Sequence, residues 1–120
     1  MRRWNLRDIE TPAGKRSPVV LHSSEEARAV LVALEPGEEL GNHQVKENEF
    51  VAVVDGTVRV EAGGESVDAG VGELLAFEPD ERRAISSAGG ARLLLFLAPW
   101  PGEGHYRGEE LGGSAGSAGS

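Results

Sequence analysis

Apolar and polar positions along the chain form short runs, each soon stopped by glycine, proline or aspartate. Pro18–His22 is a β-branched run, and Ala29–Leu34 is a continuous apolar run ended by Glu-Pro-Gly. Phe50–Val54 is apolar throughout and closes on Asp55-Gly56, a pair that predicts a hairpin between two strands. Thr57–Ala62 then alternates, with Val58, Val60 and Ala62 on one face and Thr57, Arg59 and Glu61 on the other. Gly63-Gly64 turns the chain. Strand-like runs follow at 66–69 and 73–77, then a Pro-Asp turn at 78–81, a run at 82–87, a turn at Gly89-Gly90 and the most hydrophobic run, Ala91–Ala98. Ser23 with Glu26 has the look of a helix cap, yet no helical apolar stripe follows, so this segment is read as a solvated turn. Closely spaced strands and turns without a convincing helix predict an all-β sandwich or barrel.

The flanks differ. Trp4, Leu6 and Ile9 are expected along an edge strand, and a turn-rich loop precedes Pro18. After Pro99 the alternation stops, and Trp100 is expected to pack against the barrel. Residues 112–120 (GGSAGSAGS) form a flexible low-complexity tail, set aside from fold and function. The expected organisation is one domain over residues 1–111, with its core at about 18–98. No internal repeat is evident.

Composition narrows the function classes. The 120 residues are 39% hydrophobic and 27% charged, which is globular. A net charge of -8 repels phosphate backbones, so no nucleic-acid partner is expected. With no cysteine there is no disulfide, thiolate ligand or cysteine nucleophile, in keeping with a cytoplasmic location. The longest apolar run, Leu93–Pro99, is far short of the roughly 20 residues that span a bilayer, so no membrane association is expected. The basic N-terminal stretch lacks the apolar segment of a signal peptide.

Two charged residues stand out because their strands are apolar. Glu49 shares a face with Val51 and Val53, but Phe50, Ala52 and Val54 make the other face apolar too, so parity leaves open which face is inside. A carboxylate here either needs a partner or lies at the strand's wet end. Arg83 shares a face with Ile85, the large aliphatic residue of its run. If Ile85 points inward, so does Arg83, and an inward arginine beside Glu49 resolves both burial problems. His22 and His105 read as surface or loop histidines. The carboxylate clusters Glu38-Glu39, Asp80-Glu81 and Glu109-Glu110 read as solvated.

The stretch Gly37–Gly56 resembles the first motif of the cupin superfamily: glycine, five residues, His-x-His, three or four residues, glutamate, six residues, glycine. Here Gly37, His43, Glu49 and Gly56 keep that spacing, and Val45 stands at the second histidine. The second cupin motif is matched from Gly72 by spacing alone, with Glu78, Asp80, Arg83 and Ser87 at its proline, glycine, histidine and asparagine positions. The resemblance covers about residues 18–98. It implies a jelly-roll barrel, or double-stranded β-helix, with a site inside the barrel mouth.

Carried over position by position, the resemblance implies a metal-ligand set of His43, Val45, Glu49 and Arg83. Valine has no donor and arginine brings positive charge, so His43 and Glu49 alone are left as ligands should a divalent metal bind. No cofactor is therefore expected, and the ligand-binding residues are His43, Glu49 and Arg83, facing a small anionic or sugar-like molecule. The alternative is a small cupin enzyme, a metal-dependent oxygenase or an isomerase or epimerase, with His43 and Glu49 as its catalytic groups. A third reading makes Arg83–Glu49 a purely structural pair. The resemblance also implies a homodimer, with the segment around Trp4 as a candidate pairing element.

Overall fold

A computed structural model describes residues 1–11 and 18–101, including all their side chains except those of Asn42 and His43. Eight strands follow in order: β1 (Val19–Ser23), β2 (Arg28–Leu34), β3 (Glu39–His43), β4 (Asn48–Ala62), β5 (Glu65–Gly70), β6 (Leu74–Phe77), β7 (Arg83–Ser86) and β8 (Ala91–Ala98). All pairings between these strands are antiparallel. The fold is the curled all-β barrel expected from the sequence.

β4 organises the molecule. Its first half pairs with β8 on one side and β6 on the other; its second half pairs with β7 and β5. The first half thus belongs to a sheet ordered β1-β2-β8-β4-β6, and the second to a sheet ordered β5-β4-β7-β3. The change of sheet falls at Asp55-Gly56, where the register with β8 shifts between Val53 and Asp55. The sequence predicts a hairpin here, and the structure corrects that: the chain bends across the barrel inside one fifteen-residue strand, and the halves take different neighbours. The reason is steric as well as topological. Gly56 has φ +82°, and a Cβ there would lie 2.3 Å from the Gly90 carbonyl oxygen, so the bend needs glycine against the β8 entry.

Alternation decides what is inside. Val51 and Val53 from the first half and Val58 and Val60 from the second are buried, and they meet Val30, Val32, Leu34, Phe77, Ile85, Leu93 and Leu95 in one core. β8 is rich in leucine, which has no special strand preference. It is a strand because β2 and β4 pair along its length.

Two expectations fail locally. Residues 1–11 form no strand; Leu6–Asp8 is a turn, with the Asp8 N–H donating to the Asn5 carbonyl at 3.0 Å. The segment has no β-branched alternation, and its polar groups close on themselves. It is tied to the barrel by Arg92 donating to the Leu6 carbonyl at 2.9 Å and by an Arg7–Asp55 ion pair at 3.4 Å. Conversely, β3 was missed: ELGNH has little strand propensity and forms through pairing with β7. Trp100 is half-buried, with the Arg28 guanidinium 4.6 Å from its ring centre. No helix in the described residues is long and apolar enough to cross a membrane.

Candidate functional site

The register gathers the site at one end of the barrel. β4 starts there with Glu49, paired to Leu97 of β8 and Phe77 of β6. It finishes there too, because Ala62 pairs with Arg83, the first residue of β7. On its other side Arg83 is opposite His43, the last residue of β3. Directly opposed residues share a face, so Glu49 and Phe77 point into the barrel together.

Arg83 reaches from the second sheet to the first. Its Nη2 donates to Glu49 Oε1 in a short contact, and Nη1 donates to the Glu81 carbonyl at 2.5 Å. Its Cζ lies 4.8 Å from the centre of the Phe77 ring. The side chains of Arg83 and Glu49 are 0% and 1% exposed. Parity left the inner face of β4 open; the structure puts Glu49, Val51 and Val53 inside and Phe50 outside, and Ile85 carries Arg83 inward with it. One donor of the guanidinium is not used: Nε–H has no hydrogen-bond partner among the described residues. Arg83 also lines part of an open depression of about 350 Å³, together with Glu61, Gly63, Gly64, Glu65 and Arg82.

Sequence reasoning missed Glu47, which is fully buried. The signal was present, because the period of two that joins Glu49 to Val51 and Val53 also reaches Glu47. The His43 backbone sits beside Arg83, while its side chain lies outside the described residues, as does all of His105. His22 is at the far edge strand, β1.

Two loops close this end. Residue 80 in the β6–β7 loop meets the β3–β4 loop in three contacts. The Asp80 N–H donates to the Val45 carbonyl at 2.7 Å, Lys46 Nζ is 2.8 Å from Asp80 Oδ1, and Gln44 Nε2 is 3.5 Å from the same oxygen. The Lys46 hydrogen bond holds the Asp80 carboxyl below the usual carboxylate range, and the Lys46 charge and Gln44 add to it.

Among the described residues, the side chains gathered here do not fit a divalent cation. Val45 brings no side-chain donor, and the Glu49 carboxylate already holds a guanidinium, whose charge repels a metal at that oxygen. Among the described residues no three of histidine, cysteine, aspartate and glutamate come together as a metal-holding group. The arrangement can instead hold an anion or a hydroxyl oxygen, because arginine offers donors and no acceptor.

Comparison with known proteins agrees with this barrel. The family model of the cupin domain matches residues 30–98, more than half of the chain. An RmlC-like cupin from Desulfovibrio desulfuricans superposes with a TM-score of 0.72 at 21% identity, covering 82% of this chain and 97% of that one. A protein from Thermus thermophilus gives 0.72 at 25% identity, covering 82% and 98%. An RmlC-like cupin from Shewanella frigidimarina gives 0.69 at 20% identity, covering 78% and 86%. A search of curated proteins found no significant match.

Proposed function

This chain belongs to the cupin domain family, and we propose that its barrel interior is a metal-free pocket for a small anionic or sugar-like molecule anchored by Arg83. The observation that carries the reading is the Arg83 Nε–H, a buried donor without a hydrogen-bond partner among the described residues. Buried polar groups without partners are uncommon and costly, and a ligand oxygen is a natural acceptor for this one. Glu49 holds the guanidinium in place and leaves that donor for the ligand. His43, opposite Arg83 in register, is the second group of the pocket. The test is a thermal-shift and calorimetric screen of small carboxylates and sugars. Saturable binding that disappears when Arg83 is replaced supports the reading, and binding that is indifferent to Arg83 removes it.

A second reading, a small enzyme, adds Glu47 to the expected Glu49. Glu47 and Glu49 are two buried carboxylates at the same end of the barrel, a pairing suited to moving a proton, as in a metal-free isomerase or epimerase. Deuterium incorporation from solvent into a bound ligand, lost in Glu49→Gln, is the result that would favour it over simple binding.

We infer that the partner is a second copy of this chain, seated on the outer face of the first sheet. That face carries Phe50, Phe96 and Leu74, at 37%, 39% and 65% exposed. Phe96 is paired to Phe50, and Ala52 to both Leu94 and Leu74. The outer face of the second sheet, by contrast, is charged, with Arg59 between Glu61 and Asp68. An apolar face three strands wide, across β8, β4 and β6, on a chain of net charge -8 suits a self-complementary contact.

A further inference from the structure

We propose that the loops at 44–47 and 78–82 are the door of the pocket, held shut by Asp80, and that a ligand reaches Arg83 by parting them. The inference rests on reading Arg83 as the anchor, and its test reads the door without any ligand.

The side chains of Arg83 and Glu49 are 0% and 1% exposed, so nothing reaches them unless part of the wall moves. Glu49 lies between two ladders, paired to Leu97 and to Phe77. Arg83 lies between two more, opposite Ala62 and His43. Opening any of these tears neighbouring hydrogen bonds along a sheet. The two loops at the barrel end are joined differently. Three contacts between them meet at one residue, Asp80, through the Val45 carbonyl, Lys46 and Gln44. The ion pair among them is exposed, 41% for Lys46 and 52% for Asp80, and exposed pairs hold weakly.

Two further observations give the door a direction. Asp80 has φ +66°, and among the described residues no other non-glycine residue has a positive φ. Aspartate tolerates that conformation better than most residues but still favours leaving it, so the closed state is held against a backbone preference. The loop also carries the Glu81 carbonyl that accepts from Arg83 Nη1. Movement of 78–82 therefore uncovers the guanidinium and frees a second donor in the same step. An open depression lined by the β4–β5 turn, Arg82 and the first residues of β7 adjoins the end of the 78–82 loop.

The experiment is labelling of arginines by phenylglyoxal, followed by peptide mass spectrometry, in the wild-type chain, Asp80→Ala, Lys46→Met and Leu34→Ala. Arg59, on the outside of the barrel, is the internal reference. Leu34→Ala weakens the core at the opposite end and reports access through global unfolding. The door predicts slow labelling of Arg83 in the wild type, several-fold faster labelling in Asp80→Ala and Lys46→Met, and a smaller change in Leu34→Ala at matched loss of stability. Equal acceleration in Leu34→Ala, or none in the loop variants, overturns it. Labelling that the loop variants leave unmoved but a small carboxylate blocks would remove the door and keep the pocket. Faster labelling in the loop variants that no carboxylate or sugar slows would keep the door and remove the pocket.

Discussion

Replacing Arg83 by methionine keeps an unbranched side chain over Phe77 and removes the charge that faces Glu49. Glu49 is then a carboxylate with 1% of its side chain exposed and its guanidinium gone. Breaking a buried pair by deleting one partner costs about 3–5 kcal/mol, because the survivor keeps its desolvation cost and loses the attraction that offset it. For a domain of this size each kcal/mol moves Tm by roughly 4–8 °C, so the expected drop is about 12–40 °C. Replacing both residues, Glu49→Met with Arg83→Met, removes the buried carboxylate as well. The double variant should recover most of the loss, because buried pairs exchanged for apolar residues of similar size are often neutral or better. Urea unfolding of wild type, both single variants and the double variant closes the cycle. A coupling of about 3 kcal/mol is expected. Additivity of the two single losses to within about 0.5 kcal/mol would refute the reasoning, since the residues would then not share one electrostatic partnership.

The remaining predictions concern the bend, the door and the outer face. Gly56→Ala combines φ +82° with a 2.3 Å approach to the Gly90 carbonyl and should cost more than about 3 kcal/mol, whereas Gly63→Ala, at φ +61° with open space around it, should cost about 1–2 kcal/mol; equal losses by denaturant unfolding would contradict the steric account of the bend. The Asp80 carboxyl is held below its ordinary value of 3.8, so what it contributes is present above that pH and fades as pH falls through the lower folded value. Carboxyl NMR should show this, with Lys46→Met restoring ordinary titration; an Asp80 that titrates at or above 3.8 in the wild type would contradict it. Phe96→Lys places a charge at the centre of the apolar outer face and should turn a dimer into a monomer by light scattering while the barrel stays folded. A wild-type monomer, or a variant that remains dimeric, removes that interface.

Local pattern carried much of the architecture. The runs at 18–22, 29–34, 66–69, 73–77, 82–87 and 91–98 each correspond to a strand, because their apolar faces are what the barrel buries. Asp55-Gly56 misled because the same glycine conformation that closes a hairpin also permits a bend between sheets, and only the partners of the flanking residues distinguish the two. β3 was illegible for a related reason: its strand state comes from β7, which lies far along the chain. Within the site, the inward course of Arg83 was readable from Ile85 two positions on. Which face of Glu49's strand is inside was not, since Phe50, Ala52 and Val54 form an apolar outer face of their own. The clasp at Asp80 had no sequence signal, because it depends on two loops meeting across the barrel mouth.

The most direct measurement of the central claim is a thermal-shift titration of protein prepared without chelator, with its metal content determined in parallel. Small carboxylates, sugars and divalent metals are tested against the wild type and the Glu49→Met/Arg83→Met double variant, which should fold. A carboxylate or sugar should raise Tm saturably in the wild type and not in the double variant, and divalent metals should raise it in neither. About one metal per chain, with a metal-dependent rise in Tm that the double variant loses, would contradict it and put a metal where the guanidinium has been placed.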